Sequence, residues 1–406
     1  MIITANIRSV DLGPRDAQFV QHPYPAYEAI RAVCPVFKWE QYGHWCFLNF
    51  EDVNWLLRDR RFGRQILHVA SRAELGWPEP QQHLKIFTDH EQHSLLELEP
   101  PVHTRLRGLV NRAFLSRHVE RLRPRLMNLC NGLIDGLEAK GEVDLLPAYA
   151  TPIPIIVICE LLGAPVAMAD QFLAWSHDHV AMYMAKRANA EEHRAIEDKA
   201  VAAVTAFSDY MRQLIRERRR NLGDDLLSEL IRANDEHGKL SEDELVTTAI
   251  LLLNAGHEAT VHSTGNGIKA LLESDHAGAI GTGHVEEILR YDAPLHMFTR
   301  YALEDIEWNG LRLKKGEVVG LMLGAANRDP QRFDNPKQFD PNRTANAHVS
   351  FGAGIHFCVG APLARLEMEV ALDTLFQRLP GLRLASIPRY RDAYHFHGLE
   401  ELRVKV

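Results

Sequence analysis

Two short stretches of this 406-residue chain alternate apolar and polar positions. Val36 to Phe50, VFKWEQYGHWCFLNF, alternates around Tyr42-Gly43, and DIEWNGLRLKKGEVVGL alternates around Asn309-Gly310. A period of two with turn residues at the centre predicts a β-hairpin in each. Elsewhere the apolar spacing is that of a helix. Pro25 to Val33 is short and amphipathic, with proline at its first position. Helical patterns, with breaks, run from about residue 102 to 274. The longest begins at Leu240, where Ser241 and Glu244 have capping-box spacing and Leu240 and Leu245 that of a hydrophobic staple. It reaches about Glu273, a length of about 45–50 Å at 1.5 Å per residue. Its AILLLNAG segment is apolar on nearly every side, so its middle is expected to be buried. A last long helix is predicted from Gly360 to about Leu379. Residues 63 to 100 carry scattered His, Trp and Pro and read as a long irregular loop. NRDPQRFDNPKQFDPNR has turn chemistry and no period.

These elements predict a mainly α fold with a small β region. No Gly/Ser-rich or Pro-rich linker interrupts them, which points to a single domain over 1–406. Hydrophobic residues at 46% and charged residues at 25% are those of a soluble globular protein. A net charge of -8 argues against nucleic acid as the main partner, because phosphate binding needs a basic excess. No run of 18 apolar residues offers a membrane span. The opening MIITANIRSVDLGPRDAQ lacks the layout of a signal peptide, so a cytoplasmic location is expected. The cysteines, Cys34, Cys46, Cys130, Cys159 and Cys358, are odd in number and form no CxxC. A disulfide framework or a thiolate zinc site is therefore not expected. Cys159, within IPIIVICELLG, reads as a core residue.

Cys358 has different neighbours. In FGAGIHFCVGAPLARLE it stands just ahead of a helix N-terminus, where peptide N–H groups and the helix dipole favour an anion. Gly352, Gly354 and Gly360 allow tight turns and let a flat body approach the backbone, against which Phe351 can pack. This setting suits a thiolate facing a planar ligand, and haem ligation fits it. Taken alone, a buried structural cysteine at a helix cap is the commoner reading. The spacing changes that. Phe351-x-x-Gly354-x-x-x-Cys358-x-Gly360 resembles the haem-binding signature of the cytochrome P450 family at all four signature positions. Phe351-Gly352-x-Gly354-x-His356-x-Cys358 is similar especially to the soluble bacterial type, and the resemblance extends over most of the chain. It implies a P450-like fold enclosing haem b (iron protoporphyrin IX), with Cys358 as the iron ligand and His356 near a haem propionate.

The resemblance also gives weight to motifs that are weak by themselves. Glu287 and Arg290 in VEEILRYDAP have i, i+3 spacing on a helix, where such pairs usually face solvent. They resemble the family's structural ExxR, which implies Arg343 as third partner. His103 and Arg107 at i, i+4 repel unless an anion lies between them. The family implies propionate contacts for both and for Arg300. Arg112, Arg117, Arg121, Arg123 and Arg125 suggest a docking patch for an acidic redox partner, or a solvated basic face.

In the long helix, the small residues around Ala255-Gly256-His257-Glu258-Ala259-Thr260 suggest a local bulge. Glu258 is costly in an apolar helix unless it has a task, and the family implies proton relay. His257 reads as a core residue. The sequence departs from the family here: Ala259 occupies the usual threonine position, and Thr260 lies about 100° further round the helix. Members with alanine there imply proton delivery through a substrate hydroxyl or ordered water. The connection SDHAGAIGTGH is shorter than the family's and reads as a loop. By resemblance Asn254, Ala255, His296 and Phe396, with parts of residues 63 to 100, line the substrate pocket, and Asn254 and His296 hint at a substrate with a polar handle. The expected activity is monooxygenation: one atom of O2 enters a small organic substrate. Electrons are expected from a ferredoxin-type donor with its reductase, since no flavin or reductase segment is legible. The rival readings are a peroxide-driven haem-thiolate peroxygenase and a non-catalytic haem sensor.

Overall fold

Both hairpins form. Val36–Trp39 pairs antiparallel with His44–Phe47 through a turn at Gly43, whose φ is +72°. Ile306–Trp308 pairs with Leu311–Leu313. There Asn309 and Gly310 take φ of +46° and +77°, the left-handed pair that a two-residue turn of this hand requires. The computed structural model describes residues 1–406 except 5, 7, 113, 185–188, 236–239, 275, 277 and 345. Two compact units are distinguished along the chain, each assembled from separate stretches of sequence.

The first unit comprises Met1–Ile66, Val119–Ile153 and Ala259–Val406. Its seven-stranded sheet has the spatial order Ile2–Thr4, Ser9–Asp11, Val36–Trp39, His44–Phe47, Val318–Leu321, Phe298–Ala302, Phe62–Gly63. Val318–Leu321 lies parallel to His44–Phe47, with Val319 opposite Trp45, and antiparallel to Phe298–Ala302, with Val319 opposite Arg300. Phe37, Trp39, Tyr27 and Ile30 form a buried cluster with Met297, Met322 and Tyr394. The helix Arg123–Asp135 is tied to Ala361–Arg378, where Arg378 donates to Asn131, Asp135 and Glu138.

The second unit comprises Leu67–His118 and Pro154–Glu258 and is built of helices. Ala169–Met184 packs along Ala190–Arg218, where Phe172 stacks on Phe207 with ring centroids 5.5 Å apart. The region expected as an irregular loop holds short helices at Arg72–Leu75 and Lys85–Glu91. Helices of four and seven residues are too short to show a 3.6-residue repeat. One did leave a local signal, the Ser71–Glu74 capping box, in which the Ser71 N–H donates to Glu74 Oε2 at 2.6 Å.

The long helix runs Glu242–Glu273, 32 residues, with its N-terminus capped as expected. The Ser241 N–H donates to Glu244 Oε2 at 2.8 Å, and the Glu244 N–H donates to Ser241 Oγ at 3.1 Å. Residues through Glu258 belong to the second unit and those from Ala259 to the first. Among the described residues no helix is long and apolar enough to cross a membrane.

Candidate functional site

The cysteine loop is held by its own backbone. Cys358 N–H donates to the Phe351 carbonyl at 2.9 Å, Phe357 N–H to Gly354 O at 3.2 Å, and Gly352 N–H to Val349 O at 2.8 Å. Gly352 and Gly354 lie at φ +69° and +71°. A Cβ on Gly354 would also meet the Leu57 carbonyl at 2.4 Å, so only glycine lets the loop settle on that backbone. The helix Ala361–Arg378 follows, with Gly360 as N-cap and Pro362 in its first turn. A Cβ on Gly360 would sit 3.9 Å from Cys358 Sγ, so the sulfur lies over the helix entrance. The other cysteines are buried, whereas Cys358 is partly open. Burial pushes the Cys159 and Cys130 thiols up to about 12 and about 11, so neither is a thiolate at neutral pH.

Other expected residues lie in the first unit. Phe351 carries the Arg365 guanidinium 4.6 Å from its ring centroid, and Arg365 pairs with Glu286. His356 is partly exposed in the short turn Gly354–His356. Arg300 is 3% exposed on strand Phe298–Ala302, and its guanidinium donates to the Thr299 carbonyl at 2.8 Å. Phe396 forms a β-bridge with Leu295. His296 Nδ1 meets Tyr27 OH at 2.8 Å, and its ring lies 4.3 Å from that of His397. Tyr27 and His397 were not singled out from the sequence, since nothing local joins positions so far apart in the chain.

The expected pair Glu287 and Arg290 is fully buried, with Arg290 donating to both carboxylate oxygens at 2.6 and 2.8 Å. Arg343 adds a contact of 3.3 Å to Glu287 Oε2. The sequence did not reveal that the Asp340 N–H and the Asn346 amide also donate to Glu287, at 2.8 and 3.1 Å. Of the arginines read as a docking patch, Arg121 and Arg125 are exposed on this unit, but Arg123 is consumed in ion pairs with Glu120 and Glu369. Arg112 is exposed on the second unit, and the side chain of Arg117 lies outside the described residues.

On the long helix, Leu251, Ala255 and Ala259 form an i, i+4, i+8 stripe that is more open than the buried residues beside it. Asn254, Glu258 and Thr260 are buried, at 8%, 9% and 6% exposure. The expected bulge is absent: the α-helix runs unbroken through Thr260. Gly256 serves close packing instead, since a Cβ there would lie 3.0 Å from Ile158. His257 is a core residue whose Nδ1 meets the Leu253 carbonyl at 3.0 Å. In the second unit, His103 is buried and Arg107 half-buried on helix Val102–Val110, and Arg107 donates to Asn111 at 2.8 Å. Within the connection after the long helix, residues 275 and 277 lie outside the described residues.

Comparison with known proteins shows the family. The family model described as Cytochrome P450 matches residues 78–277 and 282–380. The polyketide biosynthesis cytochrome P450 PksS of Bacillus subtilis is 34% identical over 97% of this chain and 98% of its own length. The cytochrome P450 monooxygenase PikC of Streptomyces venezuelae is 37% identical over 95% and 90%. The crystal structure of P450BioI with an acyl carrier protein bearing hexadec-9Z-enoic acid superposes with a TM-score of 0.86 at 33% identity, covering 96% of this chain and 99% of that one. The chain therefore belongs to the cytochrome P450 family, the haem b-dependent monooxygenases that use O2, a small-molecule substrate and electrons from a separate redox partner.

Proposed function

We propose that Cys358 is the thiolate that holds the haem iron and that Arg300, His356, His103 and Arg107 receive the propionates. The observation that carries this reading is the cysteine loop. Its two left-handed glycines, its closing Cys358–Phe351 hydrogen bond and the sulfur over a helix entrance suit a stable thiolate. When bound, haem supplies oxygen activation for insertion into a C–H or double bond. The protein's part would be to keep Cys358 anionic, to compensate the propionates with cationic side chains and to pack Phe351 against the haem. Replacing Cys358 with serine is expected to abolish the red-shifted Soret band that thiolate ligation gives the ferrous carbon-monoxide complex. Survival of that band would refute the assignment.

Proton delivery in this reading starts from Glu258, on the same helix as Ala259 and Thr260. Thr260 is buried while Ala259 belongs to the open stripe, which supports delivery through a substrate hydroxyl or an ordered water rather than through Thr260. Ala259→Thr separates the possibilities: coupling of electrons to product should hardly improve if the substrate carries the relay hydroxyl. A large improvement would count against it.

The proposed substrate is an apolar chain or ring bearing a hydroxyl, contacted by Asn254, Ala255 and Phe396. Relatives named for polyketide biosynthesis and a neighbour holding a fatty acyl chain support the apolar part. His296, hydrogen-bonded to Tyr27, is proposed as a further contact with the polar part of the substrate. Arg121 and Arg125 are the proposed contacts for an acidic ferredoxin-type donor. A cytoplasmic location completes the proposal, supported by five free cysteines.

A further inference from the structure

Three helices of the second unit bring together a polar cluster in which Asn254 alone is also a proposed substrate contact. Lys85–Glu91 supplies His90 and Glu91, Ala169–Met184 supplies His179 and Tyr183, and the long helix supplies Thr247 and Asn254. One ligand atom each from His90, Glu91 and His179 lies within 4.8 Å of the other two. His179 Nε2 is 3.1 Å from Glu91 Oε1. Tetrahedral zinc, with nitrogen and oxygen ligands at about 2.0–2.2 Å, sets its ligand atoms about 3.3–3.5 Å apart. That edge is therefore nearly formed.

Each of the three residues also has a polar partner on another helix. Tyr183 OH donates to Glu91 Oε2 at 2.7 Å, Thr247 Oγ1 lies 3.4 Å from His90 Nδ1, and the Asn254 amide lies 3.1 Å from His179 Nδ1. This is the outer shell that metal-ligating histidines and carboxylates have, in which a partner on the second atom fixes the ring and the tautomer. The Asn254 amide bears on the choice most directly. Asn254 is 8% exposed, and with its nitrogen toward His179 its Oδ1 has no hydrogen-bond partner among the described residues. An imidazole that ligates through Nε2 carries its proton on Nδ1 and needs an acceptor there. A half-turn of the Asn254 amide brings the orphaned oxygen to that position.

We propose that His90, Glu91 and His179 bind a divalent transition ion, zinc by ligand type, which ties these three helices together. Two imidazoles and one carboxylate suit zinc, and copper and nickel compete for the same donors. His90 and His179 are 9% and 5% exposed, so an ion bound between them is largely shielded from water. The proposal is independent of the haem assignment.

The test uses the haem-loaded full chain without a polyhistidine tag, titrated with zinc chloride by calorimetry and dialysed before elemental analysis. One equivalent retained per chain is expected, with a melting temperature that rises with zinc. Glu91→Gln and His179→Gln should each remove that equivalent, while Asn254→Leu should weaken binding about 10–100-fold. The haem absorption spectrum of each variant is the control for folding. Should both ligand variants fail to take up haem, the wild-type stoichiometry and the Asn254→Leu affinity decide. No stoichiometric zinc in the wild type overturns the proposal, as does equal uptake by a folded His179→Gln variant, which would place the ion on other histidines. Loss of haem with zinc binding intact would strike the Cys358 reading alone.

Discussion

Two glutamates of the first unit, Glu287 and Glu367, are both 1% exposed or less, yet they are held in opposite ways. Glu287 accepts from Arg290, Arg343, the Asp340 N–H and the Asn346 amide. Glu367, on the helix that follows the cysteine loop, has no hydrogen-bond partner for either oxygen among the described residues. Burial alone pushes its carboxyl well above the usual range, which favours the protonated, uncharged form. The difference is one of donors. Glu287 faces an irregular segment whose amides and side chains can turn toward it. Glu367 stands inside a helix whose own N–H groups are already used, so burial favours its uncharged form instead.

Breaking the saturated cluster should have the largest effect. Arg290→Ala leaves the Glu287 charge buried without its main partner, which costs about 3–5 kcal/mol. It should lower the denaturant midpoint sharply and reduce haem retention. An unchanged midpoint would mean that the remaining donors suffice. At Glu367 the sign reverses. Glu367→Leu removes two buried polar atoms without partners and should stabilise by about 1–3 kcal/mol. A loss of stability would show that the acid has a partner that the packing does not reveal. The pH dependence sharpens the contrast. An acid whose folded pKa is raised contributes its full stability below the unfolded value of about 4.3 and loses it as pH rises toward the folded value. Wild-type stability should fall over that range by at most about 1.4 kcal/mol per pH unit from this group. Glu367→Leu should flatten that slope.

The same contrast shows how much the sequence discloses. Glu287 and Arg290 were legible because both lie on one helical turn, but their donors stand some 50 residues later in a segment with no period. Glu367 was not singled out, because a glutamate in a helical sequence looks like a surface residue. Arg123 read as a docking residue because its partner Glu369 is far along the chain. The Gly256 signal was real but had another cause: the missing side chain makes room for Ile158 rather than for a bulge.

By itself, the sequence determined the elements whose cause is local. They are the hairpin at Asn309-Gly310, which needs left-handed residues, the capped start of the long helix, and the cysteine loop, whose glycines and helix entrance lie within ten residues. It therefore identified the family and the cofactor. The tertiary structure alone decided which buried charges are matched and which are neutralised. It also decided the division into two discontinuous units and the meeting of His90, Glu91 and His179. These depend on which helices pack side by side, and burial and hydrogen bonding between residues distant in sequence have no local signature.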